Sequence, residues 1–166
     1  MTKRKTIAIL FATGTVLSSL KSRSIVFVDS EGDMSKWLEA IPEIGLIASI
    51  EPHFMLSESA TFGYDQTLEL SAKIQELSTK VDGIVVLMRT ENIVTQSALL
   101  NFLNQHLTIP VIMTGSVVSP QALTEGVLSD AFKKSVALSL KSNVINAVQV
   151  ATRDFRGFGI MYGNRL

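Results

Sequence analysis

The 166-residue chain contains no cysteine, a single tryptophan, four prolines and no excess of either charge sign. Without cysteine there is no disulfide framework, no thiolate metal site and no thiol nucleophile. Fifteen lysines and arginines against fifteen aspartates and glutamates leave a net charge of zero, a balance that lends no support to nucleic-acid binding, for which a basic face is expected. The basic runs Lys3-Arg4-Lys5 and Lys21-Ser22-Arg23 are short and read as solvated flanks. No apolar stretch approaches the ~20 residues needed to span a bilayer. Ile7 to Leu10 is basic-flanked but too short for a signal-peptide core and reads as a first strand. Internal repeats, low-complexity tracts and linkers are missing too. A single cytoplasmic domain over 1–166 is the expectation, with neither nucleic acid nor membrane as partner. A chain of this length can bury about 70% of its unfolded surface, enough for a core of its own.

Two hydrophobic runs each end in a hydroxyl-bearing cluster. Thr6-Ile7-Ala8-Ile9-Leu10-Phe11 leads into Ala12-Thr13-Gly14-Thr15, and Gly83-Ile84-Val85-Val86-Leu87-Met88 leads into Arg89-Thr90-Glu91-Asn92. Short, continuous and rich in branched residues, both read as strands buried on two faces. Ligands of open α/β sheets sit just beyond the carboxyl ends of such strands. The pattern predicts further strands at 24–29, 46–50, 109–113 and 158–162, with Thr15 to Ser24 as a polar connection and Pro52 behind the third strand. It predicts helices from Met34 to Pro42, from an Asp65 cap with Leu68, Leu70, Ala72, Ile74 and Leu77 as its stripe, and from an Asn92 cap to His106. Ile93, Leu99, Phe102 and Leu103 are the inward residues of that last helix. Ser129 to Leu140 and Ser142 or Asn143 to Ala151 read as two more helices. Strand–helix alternation of this kind makes a three-layer α/β fold, a mostly parallel open sheet with helices on both faces. No GxGxxG or GxxxxGK(S/T) motif follows any strand, and neither His53 nor His106 has a metal-ligand partner at useful spacing. No cofactor or metal is expected, and both histidines read as surface or interface residues.

Five segments, in order, resemble the N-terminal domain of the bacterial-type L-asparaginase family. Ala12-Thr13-Gly14-Thr15-Val16 is similar to the family's strand end TGGT followed by Ile or Val. Trp37-Leu38-Glu39-Ala40-Ile41-Pro42-Glu43-Ile44 resembles LLxAVPEL. Leu56-Ser57-Glu58-Ser59-Ala60-Thr61-Phe62 stands where the family has a (D/G)SxDM loop. Asp82-Gly83-Ile84-Val85-Val86-Leu87-Met88-Arg89-Thr90-Glu91-Asn92 parallels DGxVVTHGTDT, and Pro110-Val111-Ile112-Met113-Thr114-Gly115-Ser116 parallels PVVLTGAMRP. Asn143 to Ala151 then resumes the family's NLxxAVxVA helix after an insertion-like stretch at 121–141.

The resemblance implies a Rossmann-like or flavodoxin-like sheet and hydrolysis of asparagine or glutamine to the acid and ammonia. By motif position it implies Thr15 as nucleophile, Thr90 as the second threonine, Ser59 on the substrate carboxylate and Glu91 on its amino group. The ligand would be asparagine, aspartate or glutamine, and the assembly a homo-oligomer, with a dimer expected. The departures point to weak or lost catalysis. Thr13 replaces a glycine, Arg89 replaces another, and Glu91 is one methylene longer than the family's aspartate. The lid segment has no tyrosine. Leu166 comes before the position of the family's catalytic lysine and of its C-terminal domain. The alternative is a catalytically inactive domain that binds a small acidic amino acid or a protein partner.

Overall fold

The computed structural model describes residues 4–12, 15–18, 25–28, 31–55, 62–116 and 129–166. In chain order these form β1 (Thr6–Phe11), β2 (Thr15–Ser18), β3 (Ile25–Val28), α1 (Glu31–Glu39), α2 (Ile44–Ile47), β4 (Ser49–Phe54) and α3 (Tyr64–Ser78). They continue with β5 (Gly83–Leu87), α4 (Thr90–Leu103), β6 (Pro110–Thr114), α5 (Asp130–Ala151) and β7 (Gly157–Ile160). Five strands make one parallel sheet in the order β4-β1-β5-β6-β7. β2 and β3 pair antiparallel as a separate hairpin, in register from Thr15 opposite Val28 to Ser18 opposite Ile25. With the hairpin set aside, the order is the flavodoxin-like 2-1-3-4-5, whose reversal lies between β1 and β5.

Alternation along the strands sorts the core into two halves. Ile7, Ile9, Phe11, Val85, Leu87 and Ile112 face α1, α2 and α5, where Trp37, Ile41, Ile44, Leu140, Val144, Ala147, Val148 and Ala151 cover them. Ala8, Leu10, Ile84, Val86, Val111 and Met113 face α3 and α4, against Leu70, Ile74, Leu77, Ile93 and Leu100. This is the three-layer arrangement that strand–helix alternation predicts. Trp37 anchors the first half, its ring edge-on to Phe11 at a centroid distance of 5.0 Å. Among the described residues no helix is long and apolar enough to cross a membrane.

Several boundaries differ from those that pattern alone predicts. Part of the expected connection, Thr15–Ser18, is a strand, because it finds a partner in Ile25–Val28. The helix around Trp37 starts three residues early, at Glu31, with Glu31 and Asp33 in its first turn, where carboxylates suit the helix dipole. Leu46 and Ile47 belong to α2, and the third strand of the sequence begins at Ser49 and runs through Pro52. Proline is accepted there because β4 is an edge strand, so no ladder bond is lost on its free side. Gly63, and not Asp65, precedes α3, and its N–H donates to Gln66 Oε1 at 2.9 Å. The two helices expected at 129–151 are one: α5 is continuous, and Ser129 Oγ caps it by accepting from the Phe132 N–H at 3.3 Å.

His53, expected at the surface or an interface, is half-buried in β4, and its Nε2 is sealed from solvent with no hydrogen-bond partner. Burial, followed by the nearby Lys73 charge, lowers its pKa; Lys80 acts the same way, and Glu51 and Glu76 oppose them. A histidine that resists protonation only when folded supports the fold above its ordinary pKa. That support disappears as pH falls through the depressed folded value. The melting temperature is therefore expected to fall between about pH 7 and pH 5, above the carboxylate range, and less steeply in His53→Gln. Parallel pH–stability curves for parent and variant would contradict this assignment.

Candidate functional site at the carboxyl edge of the sheet

The carboxyl ends of β1, β5, β6 and β7 lie side by side and hand their hydrogen bonds along the row. Ala12 N–H donates to Leu87 O at 3.0 Å, Met88 N–H to Thr114 O at 3.0 Å and Met161 N–H to Met113 O at 2.9 Å. Thr90 is the first residue of α4, two residues past the buried Met88, and Glu91 is the second. The pair therefore stands at the tip of β5, next to the end of β1, where the strand order reverses. Thr15 opens β2 three residues beyond Ala12; its side chain and the whole of 56–61, including Ser59, lie outside the described residues.

Around Thr90 the polar groups interlock. Its Oγ1 donates to the carbonyl of Ser116, and the hydroxyl of Tyr162 donates to the same Oγ1 at 3.4 Å. Ser116 is buried, and Tyr162 and Thr90 are half-buried. Thr114 Oγ1 donates to Met161 O at 2.6 Å, tying the ends of β6 and β7. Asn143, fully buried on α5, donates through Nδ2 to Gly115 O at 2.9 Å and accepts through Oδ1 from the Gly163 N–H at 2.7 Å. Burial raises the pKa of the Tyr162 phenol; its hydrogen bond with Thr90 opposes this and the Glu91 charge adds to it. Tyr162 is accordingly a neutral donor near pH 7.

Arg89 precedes α4 in extended conformation and offers no side-chain cap, so the first-turn N–H groups and the dipole of α4 point at this edge. Such a terminus favours a carboxylate or a developing oxyanion. Glu91, in the first turn of α4, is exposed and places a carboxylate at the same edge. The arrangement thus offers a hydroxyl cluster, an anion-binding backbone and one carboxylate. Lys141, one of three lysines in the stretch at 121–141, is held elsewhere: its Nζ pairs with Glu43 Oε1 at 2.6 Å, a contact that lowers the Glu43 pKa. A cavity of about 520 Å³ beside β4 and α3, lined by Phe54, Met55, Glu69, Ala72, Lys73 and Glu76, does not include Thr90. Among the described residues no group of three histidines or carboxylates gathers as a metal site.

Tyr162, Ser116 and Asn143 were not marked by sequence reasoning. Tyr162 fell inside an expected strand, Phe158 to Tyr162, whereas β7 ends at Ile160 and leaves the tyrosine just past the carboxyl end. The usable signal was a hydroxyl following a parallel strand, the same one that marked Thr15 and Thr90.

The family described as "Asparaginase, N-terminal" matches residues 6–166. No curated protein matches the chain in sequence. Among solved structures, L-asparaginase I from Vibrio cholerae is 26% identical with a TM-score of 0.62, over 89% of this chain and 41% of that one. The thermostable L-asparaginase from Thermococcus kodakarensis is 21% identical with a TM-score of 0.65, over 95% of this chain and 44% of that one, a likeness of fold. The chain spans less than half the length of either enzyme.

Proposed function

Because its match runs over residues 6–166, the chain belongs to the asparaginase family as an N-terminal domain, and on that premise we propose that its sheet edge binds a small amino acid and takes part in asparaginase-type amide hydrolysis. The substrate is asparagine or glutamine and the products are the corresponding acid and ammonia. In this reading the Thr15 hydroxyl attacks the side-chain amide carbon and ammonia leaves with the transferred proton. Water then hydrolyses the resulting ester. Thr90 is the second hydroxyl, Ser59 holds the substrate carboxylate and Glu91 its ammonium group.

The observation that carries the proposal is the placement of Thr90 and Glu91 at the tip of β5, beside the end of β1, at the reversal of strand order. Nucleophilic amide hydrolysis needs a hydroxyl, a proton acceptor and donors for the oxyanion. The α4 terminus suits the last requirement. A second copy fits the remainder of the proposal: α4 carries no charge from Asn92 to Leu103 and exposes Val94, Leu99 and Phe102, so two such faces meet without like-charge repulsion. Light scattering is expected to give a dimer, and a monodisperse monomer would reject that part.

One observation favours the second reading, an amino-acid-binding domain without turnover. The Thr90 proton is engaged by the Ser116 carbonyl and so is not offered to a ligand. Ammonia release from asparagine and glutamine, measured against Thr15→Ala, separates the two. Release above that control supports hydrolysis. Calorimetric binding of aspartate with no release supports the binding domain, and neither signal rejects both.

A further inference from the structure

The turn after β7 brings a phenol onto Thr90, and its backbone is held from three directions. Tyr162 and Arg165 exchange N–H···O bonds at 3.1 Å each, closing a tight turn in which Gly163 takes the left-handed conformation at φ +59°. Asn143 accepts from the Gly163 N–H at 2.7 Å, and Asn146 Nδ2 donates to the Gly163 carbonyl. The Tyr162 hydroxyl reaches over Gly115, where an added Cβ would lie 3.5 Å from it, and donates to Thr90 Oγ1 at 3.4 Å. A tyrosine at the end of a chain segment fixed in this way is placed, not merely accommodated.

A threonine hydroxyl has one proton and two lone pairs. Here the proton goes to Ser116 O and one lone pair receives the Tyr162 O–H. What remains is a lone pair, so a ligand atom meeting Thr90 has to bring its own hydrogen. A carboxamide NH2 does so. An ionised carboxylate can only accept, and it would also meet the charge of Glu91 on the adjacent residue.

Building on the amino-acid site proposed above, we propose that Tyr162 is a positioning residue that fixes Thr90 as a hydrogen-bond acceptor and so selects the carboxamide of asparagine or glutamine over the corresponding acid. As a neutral phenol near pH 7, Tyr162 keeps this polarity. Without it, the Ser116 carbonyl alone holds the Thr90 hydroxyl, which can then turn outward and donate to a carboxylate.

Two measurements test this. Calorimetry of the full chain with asparagine and with aspartate gives the affinity ratio of amide to acid. Tyr162→Phe is expected to reduce that ratio roughly 3- to 10-fold, the range set by one hydrogen bond. General loosening would weaken both ligands together and leave the ratio alone. The chain has only two tyrosines, so in a Tyr64→Phe background the phenolate absorbance reports Tyr162 alone. There Thr90→Val is expected to shift the Tyr162 titration, because the phenol loses its hydrogen-bond partner, and Thr90→Ser is expected to restore it. An unchanged ratio in Tyr162→Phe would overturn the selectivity role, and an unchanged titration in a folded Thr90→Val would overturn the contact itself. If the parent binds neither amino acid, the site reading falls and the selectivity role with it, while the titration still decides whether the phenol holds Thr90.

Discussion

Gly115→Ala is expected to destabilise the protein by about 3 kcal/mol or more, the upper end of overpacking costs, and to part Thr90 from its partners. A Cβ built at Gly115 would lie against the backbone carbonyl of Met88, closer than real Cβ atoms approach any atom. That neighbour cannot rotate away, because Met88 is held in the row of strand ends by its N–H bond to Thr114 O at 3.0 Å. Relief requires the ends of β5 and β6 to separate. Met88 is followed by Arg89 and Thr90, and Gly115 by Ser116, so separation lengthens the bond between Thr90 and the Ser116 carbonyl. Gly83→Ala is the informative control. Its Cβ would meet the Ala151 carbonyl, also backbone, and Ile7 Cδ1 at 3.0 Å, but at the opposite end of β5. Both variants should lower the urea midpoint, and only Gly115→Ala should also disturb amino-acid binding or turnover. A Gly115→Ala protein as stable as the parent would show that β5 and β6 do not approach this closely.

The contrast between those glycines also shows which features the sequence exposed. β1, β5 and β6 were legible because each is a run of branched residues buried on both faces, such as Ile84 to Leu87 with every residue buried. That pattern needs no knowledge of neighbours. The faces of α4 were legible only in part: Ile93 is inward as expected, at 1% exposed. Leu99 and Phe102 were expected inward, yet they are 41% and 72% exposed, while Gln96 is 5% exposed. The reason lies in α3. Gln96 Oε1 accepts from Thr67 Oγ1 at 2.7 Å, and about one turn further along α3 Ser71 bonds Asn104, just past the end of α4. A polar seam between α3 and α4 fixes the rotation of α4 and leaves its apolar residues outside. A helix that is apolar on several faces cannot report which one its neighbour prefers.

The candidate site divides in the same way. Thr90 and Glu91 were found because they follow a recognisable strand directly. Ser116, Tyr162 and Asn143 act on Thr90 only through the closure of the sheet, which brings residues 26 to 72 positions apart into contact. Asn143 in particular read as the start of a second helix, since asparagine favours caps. In the folded chain it sits inside the unbroken α5, where the polar side chain is used to join two loops.

That junction carries the second large expectation: Asn143→Ala loses about 2–4 kcal/mol, the sum of one or two buried groups left without partners. The Gly115 carbonyl loses the Nδ2 donor in a fully buried setting, whereas Gly163 is exposed and its N–H can turn to water. Asn143→Asp isolates the donor half of this interaction. Aspartate keeps the acceptor for the Gly163 N–H but sets a carboxylate oxygen against the Gly115 carbonyl, two acceptors facing each other in a buried place. The folded state then favours the protonated acid, so its pKa rises above the unfolded value. By linkage, a raised folded pKa gives stability at low pH that is lost as pH rises through it. Asn143→Asp is therefore expected to be at least as unstable as Asn143→Ala near neutral pH and to regain ground on acidification, while the parent declines as His53 becomes protonated. Urea midpoints of the parent and both variants across this range read the difference directly. If Asn143→Asp follows the pH course of Asn143→Ala, Asn143 does not donate to Gly115, and the loop after β6 is held by something other than α5.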